Sequence, residues 1–122
     1  MRLLLDTHTL LWWDEGSLPA YVARRIQVAD AVFVSAASAW EIAIKTALGR
    51  IVARGTVADV LADYGFTELP ITVRHAEAVR ALPPHHRDPF DRLLVAQAEL
   101  EGLALVSKDP ALSAYGVRVV WR

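Results

Sequence analysis

Four acidic residues stand where chemistry gathers in a parallel α/β protein. The chain opens Arg2-Leu3-Leu4-Leu5-Asp6-Thr7, an apolar run that ends abruptly in a carboxylate. Such runs read as parallel strands buried on both faces, and ligand chemistry in open parallel sheets collects beyond the strands' carboxyl ends. Glu41 lies in the first turn or so of the helix that follows a second apolar run, Ala31–Ser35. Asp91 lies in the first turn of a helix opened by Asp88-Pro89, and Asp109 follows a third run, Leu103–Ser107. Strand ends and helix starts face one rim in this architecture, so the four carboxylates are expected to meet there. Like charges at such a place need a cation, or some must stay protonated. Oxygen ligands without cysteine favour Mg²⁺ or Mn²⁺. Such an ion binds a phosphate oxygen, acidifies water and stabilises a leaving oxygen, which is the chemistry of phosphodiester hydrolysis.

Each acid taken singly also has a structural role open to it. Asp88-Pro89 and Asp109-Pro110 have the form of an N-cap followed by proline at the first helical position. Asp91 suits the positive end of a helix dipole, and Glu41 can pair with Lys45 at i,i+4. Only Asp6 has no cap or pair role evident in the sequence. The histidines His8, His75, His85 and His86 lack metal-binding spacing on one helix. His85-His86 read as loop residues, and His8, just after Asp6, as a neighbour of the site or, preferably, a polar residue tucked under the sheet. Trp12, Trp13, Trp40 and Trp121 read as core or interface residues. No glycine-rich phosphate loop and no Ser/His/Asp triad is present, and nothing in the sequence resembles a stacking platform for bases.

The elements that must position these residues alternate. Strands are expected at 2–5, 31–35, 66–71 (an edge, because of Pro70), 103–107 and 117–121. Helices are expected at 7–13, 19–28 (capped by Ser17), 37–48, after Thr56 to Gly65, 73–82, 89–101 and after Asp109 to Gly116. The third helix carries an apolar stripe of Trp40, Ile44, Ala47 and Leu48, and Ser38 and Glu41 have capping-box spacing. Alternation of this kind implies an α/β class with a mostly parallel sheet. The 122 residues suit one domain, 1–122, and 54% of them are hydrophobic, enough for a core. No apolar run approaches a membrane span, and the start lacks the layout of a secretion signal. With no cysteine, a cytoplasmic location is expected. The formal net charge of -1 gives no global attraction for nucleic acid, so a local basic rim or an ion must provide it.

Four segments in order, Leu3-Leu-Leu-Asp-Thr-His-Thr-Leu-Leu-Trp12, Ser35-Ala-Ala-Ser-Ala-Trp-Glu-Ile-Ala-Ile-Lys45, Asp88-Pro-Phe-Asp-Arg-Leu-Leu-Val-Ala-Gln-Ala98 and Leu105-Val-Ser-Lys-Asp109, resemble PIN-domain toxins of the VapC type across essentially the whole chain. The resemblance implies a three-layer α/β/α fold with a sheet of four to five strands, and a Mg²⁺- or Mn²⁺-dependent ribonuclease. It implies a VapB-type antitoxin that blocks the site, a homodimer and a higher toxin–antitoxin assembly. Carried over by position, the family's acids fall on Asp6, Glu41, Asp91 and Asp109, with Asp88 as an accessory acid. Ser107 stands where many members have a Thr or Ser that orients the site. Lys45, Arg87, Arg92 and Lys108 are the candidates for contact with an RNA backbone. The alternative is a PIN-like module that binds RNA or protein without cutting.

Overall fold

The computed structural model describes residues 1–52 and 54–121. Five strands form one sheet: β1 (Arg2–Leu5), β2 (Ala31–Ser35), β3 (Thr67–Leu69), β4 (Ala104–Val106) and β5 (Val119–Val120). Their order is β3-β2-β1-β4-β5, and every pairing is parallel. The helices are α1 (Thr7–Glu15), α2 (Ala20–Val28), α3 (Ala36–Ala47), α4 (Val57–Tyr64), α5 (Val73–Ala78) and α6 (Pro89–Glu101), with 3-10 segments at Val79–Ala81 and Pro110–Tyr115.

The pleat sorts the apolar strand residues between two cores. Leu3, Leu5, Val32, Val34 and Val106 pack on one face with Leu10 of α1, Val22 and Ile26 of α2 and Val60 and Leu61 of α4. Leu4 and Leu105 face the other way, against Leu94, Val95 and Ala98 of α6 and Leu112. Burial on both faces explains why β1 reads as an unbroken apolar run rather than an alternation. The result is the expected three-layer arrangement around a sheet that is wholly parallel.

Local chemistry sets the helix ends. Thr56 caps α4 on the Asp59 N–H, and Asp88 caps α6 with Pro89 in its first turn. Gly65 and Gly102 end these helices in the left-handed region, where a Cβ is strained. One expected cap and one alternative helix start do not form. Ser17 does not cap α2, which follows Pro19 with no side-chain cap; the Ser17 hydroxyl bonds Trp12 O and Glu15 instead. Ser38 does not open α3. Ser35 does so, by accepting from the Ala37 N–H, which moves Glu41 from the first turn to the second.

The α3 helix is also turned relative to its apolar stripe. Trp40 and Leu48 are about three-fifths exposed, whereas Ser38 and Glu41 are buried. Its polar face looks inward at the sheet's end. The outward apolar face joins a hydrophobic basin of 270 Å³ lined by Trp40, Ala76, Val79, Pro89, Phe90 and Leu93. Among the described residues no helix is long and apolar enough to cross a membrane.

Candidate active site

The strand order reverses at β1. Its successor β2 pairs on one side and β4 on the other, in the register Leu5↔Val34 and Leu5↔Val106. A crevice opens beyond such a switch point in parallel sheets. Asp6 leaves β1 there, hydrogen-bonded through its own N–H to Val106 O at 3.1 Å. Its side chain is 6% exposed, and Oδ1 accepts the Thr9 N–H at 2.8 Å. Asp6 therefore caps α1 as well, a role the sequence does not reveal because no proline or capping box marks it.

Glu41 reaches the same rim from the inward face of α3. Its Oε1 accepts the Thr7 hydroxyl at 2.6 Å, and Ser38 Oγ lies 3.1 Å from that hydroxyl. Its Oε2 meets Lys45 Nζ at 2.6 Å. Both carboxylate oxygens are thus fixed, and Lys45 is engaged with Glu41 rather than open at the surface.

Asp91 is the point where the acids act on one another. Its pKa is pushed up to about 7, first by burial, then by the charges of Asp88 and Asp6, with Glu41 adding to the rise and His86 opposing it. A carboxylate raised this far by burial, with neighbouring acids adding to the rise, marks a site short of positive charge. Asp88 also works as a cap, accepting the N–H groups of Phe90 and Asp91 at 2.8 and 3.3 Å.

Asp109 lies at the opposite extreme. The Ala111 N–H and the His86 ring hold its carboxyl below the usual range. Ser107 is buried and accepts the Asp109 N–H at 3.1 Å, so it fixes the turn that delivers this acid.

His86 is the residue the sequence reading missed. It lies in a loop, as expected, yet its Nε2 sits 2.9 Å from Asp109 Oδ2 and 3.4 Å from Asp91 Oδ2. One ligand atom from each of the three residues falls within 4.8 Å of the others, a spacing that fits an ion. The other ring nitrogen decides its role. The Asp88 N–H donates to His86 Nδ1 at 3.0 Å, so Nδ1 offers its lone pair and Nε2 carries the proton. Nitrogen ligation needs a free lone pair, and Nε2 has none in this tautomer. His86 is a donor set between two carboxylates. Its position two residues before Asp88 was the only signal available.

Arg92 is held within the fold, and His8 is not. Arg92 does not face an acid; it donates to Pro83 O, Val79 O, Leu82 O and the Tyr115 hydroxyl. It ties the end of the preceding helical segment to the Pro110–Tyr115 turn. The same hydroxyl accepts the His86 N–H at 2.7 Å, so Arg92 supports the His86 loop. His8 is not tucked under the sheet but exposed, lining a basin with Asp6 and Asp109.

The wholly parallel sheet with acids at its switch point defines a class, and comparison with known proteins identifies it. Residues 3–117 match the PIN domain model, and the chain belongs to that family. Comparison with curated protein sequences gives no match. Among solved structures, the chain resembles the DNA-bound VapBC complex of Salmonella typhimurium (TM-score 0.74, 16% identity, 98% of this chain and 97% of that one). It also resembles VapBC2 of Rickettsia felis bound to a promoter DNA fragment (0.70, 10%, 98% of each chain). A third likeness is to FitAcB of Neisseria gonorrhoeae (0.65, 21%, 98% and 96%). At these identities the likeness is one of fold.

Proposed function

We propose that this chain is the toxin of a type II toxin–antitoxin pair, a divalent-metal-dependent endoribonuclease of the VapC type. The observation that carries the reading is Asp91. Its carboxyl is pushed up to about 7 by burial and by three other acids, which is the electrostatic signature of a cation site. The donor set fits Mg²⁺ or Mn²⁺, being hard carboxylate oxygens. Asp6, Glu41, Asp91 and Asp109 would hold the ion, with Asp88 accessory. What an ion supplies there when bound is polarisation of a phosphodiester oxygen and water acidic enough to attack at neutral pH.

The chain's own residues do the rest. Thr9 N–H and the Thr7 hydroxyl fix one oxygen each of Asp6 and Glu41. Ser107 and His86 fix Asp109. Such supports keep the carboxylates aimed without reorganisation during the reaction. With its pKa at about 7, Asp91 would be part-protonated near neutral pH and would give up that proton to hold a cation.

The PIN fold also supports a VapB-type antitoxin as partner and a cytoplasmic setting. The outward apolar face of α3 beside the Trp40–Phe90 basin supports a homodimer. A non-cutting PIN-like binding module is the alternative, and the full set of acids weighs against it. The test is cleavage of a mixed structured RNA with Mn²⁺, with Mg²⁺ and with EDTA, beside Asp6→Asn. Metal-dependent cutting that the folded variant lacks is expected. Equal cutting by both proteins would remove the mechanism, and tight RNA binding without cutting would establish the module.

A further inference from the structure

We infer that a groove running away from the acids along Trp12 is a nucleotide subsite, which binds an unpaired base of single-stranded RNA next to the phosphate to be cut. The inference rests on the ribonuclease reading and names what lies beside its reacting centre. A basin of 320 Å³ is lined by Asp6, His8, Trp12, Lys108 and Asp109. A second basin of 330 Å³ continues it past Trp12 and Lys108 to Ser17, Pro19 and Trp121. Trp12 is therefore a wall shared by both, and the first basin opens on two of the acids.

Three rings form a row there, His8 and Trp12 from one face of α1 and Trp121 from the far end of the described chain. His8 lies 5.7 Å from Trp12 at an interplanar angle of 40°, and Trp12 lies 5.9 Å from Trp121, edge-on at 71°. Lys108 Nζ sits 6.0 Å from the centre of the Trp12 ring. His8 and Lys108 are exposed, and Trp12 and Trp121 are half-buried. Trp121 and Trp13 both pack against the core, the ordinary place for a tryptophan, whereas Trp12 is not part of that cluster and borders the two basins. Among the described residues nothing hydrogen-bonds the His8 ring or the Trp12 indole N–H.

The chemistry selects the occupant. Every base has a π face, and single strands bind proteins by stacking bases on aromatic side chains along a cationic track. Lys108 places one positive charge over the platform, where a flanking phosphate needs it. A base inside a duplex has no free face to offer, so the groove favours unpaired nucleotides. A phosphate drawn to a cation held by Asp6 and Asp109 would bring its neighbouring base to Trp12, because the same basin contains all three residues.

The test is fluorescence anisotropy with a fluorescein-labelled oligouridine of about ten nucleotides, in Mg²⁺, on the Asp6→Asn background so that the probe survives. Trp12→Ala is expected to weaken binding by about 5- to 150-fold. Trp12→Phe keeps a face and is expected to retain most of the affinity. Lys108→Gln should make the affinity less dependent on salt, and Trp40→Ala, outside the groove, should change nothing. The same RNA paired with its complement should bind more weakly. Binding unaffected by Trp12→Ala in a protein that melts normally would overturn the subsite, as would equal affinity for the duplex or no binding at all. If Trp12→Ala does not fold, Trp12→Phe and Lys108→Gln decide. Cleavage assays on the unmodified protein separate the two readings. Cutting with Trp12-independent binding overturns the subsite alone, whereas Trp12-dependent binding without cutting overturns the nuclease and leaves the subsite.

Discussion

Asp91 and His86 are the residues at which the electrostatics of this protein become measurable. An aspartate raised from 3.8 to about 7 in the folded chain binds a proton more tightly there than when unfolded. The stability it contributes is fully present below pH 3.8 and is lost as pH rises through 7. The full loss corresponds to roughly 4 kcal/mol. Asp109 is lowered, so its contribution is present above 3.8 and fades only as pH falls further; the two windows do not overlap. The metal-free protein is therefore expected to melt at a lower temperature at about pH 7 than at about pH 4, and Asp91→Asn to flatten that slope. Added Mg²⁺ should raise the melting temperature more at the higher pH, where the carboxyl has given up its proton. A flat profile in the unmodified protein would show that Asp91 is not crowded. His86 gives a second measurement. Calorimetric titration should find that His86→Ala weakens Mg²⁺ and Mn²⁺ alike, by about 10-fold or more, as loss of an orienting partner does. His86→Gln, which can still donate near Asp109, should recover most of it. A loss confined to Mn²⁺ would mean that the ring binds the ion itself.

Among the elements, α3 shows what periodicity can and cannot say. Its stripe of Trp40, Ile44 and Leu48 has the spacing of a buried face, yet that face is the outer one. The inward side carries Ser38 and Glu41 because it abuts the rim, where their oxygens meet the Thr7 hydroxyl and Glu41 meets Lys45. Spacing reports that a face is apolar; it does not report what covers it. The cost of truncation distinguishes the faces. Leu105→Ala, in a side chain with no exposure, is expected to lower stability by about 2–5 kcal/mol in denaturant titration. Trp40→Ala in dilute protein should lose only the order of its edge contact with Phe90, about 0.5–1.5 kcal/mol. Similar losses would place Trp40 in the core. The strands and caps were legible for the opposite reason. Leu3–Leu5, Thr56 and Asp88-Pro89 act through local backbone chemistry, which a sequence displays directly. His86 was not, because its function depends on which nitrogen the Asp88 N–H occupies. The row of His8, Trp12 and Trp121 was not, because only the fold brings residue 121 beside residue 12.

At the scale of the whole molecule, the order β3-β2-β1-β4-β5 makes the site a meeting of distant segments. Asp6 comes from the first strand, and Asp91 and Asp109 from the last third of the chain. Their convergence could be read from sequence because a parallel sheet sends all its carboxyl ends to one rim; the direction of each side chain could not. The same order has a temporal consequence. During synthesis β1 can pair with β2 early, but its other edge waits for β4, a long-range contact that forms slowly and late. Until then Asp6 and Glu41 have no Asp91 or Asp109 to meet. A chain still being made thus carries only half of its acidic cluster, and the other half arrives only once Asp91 and Asp109 have been translated.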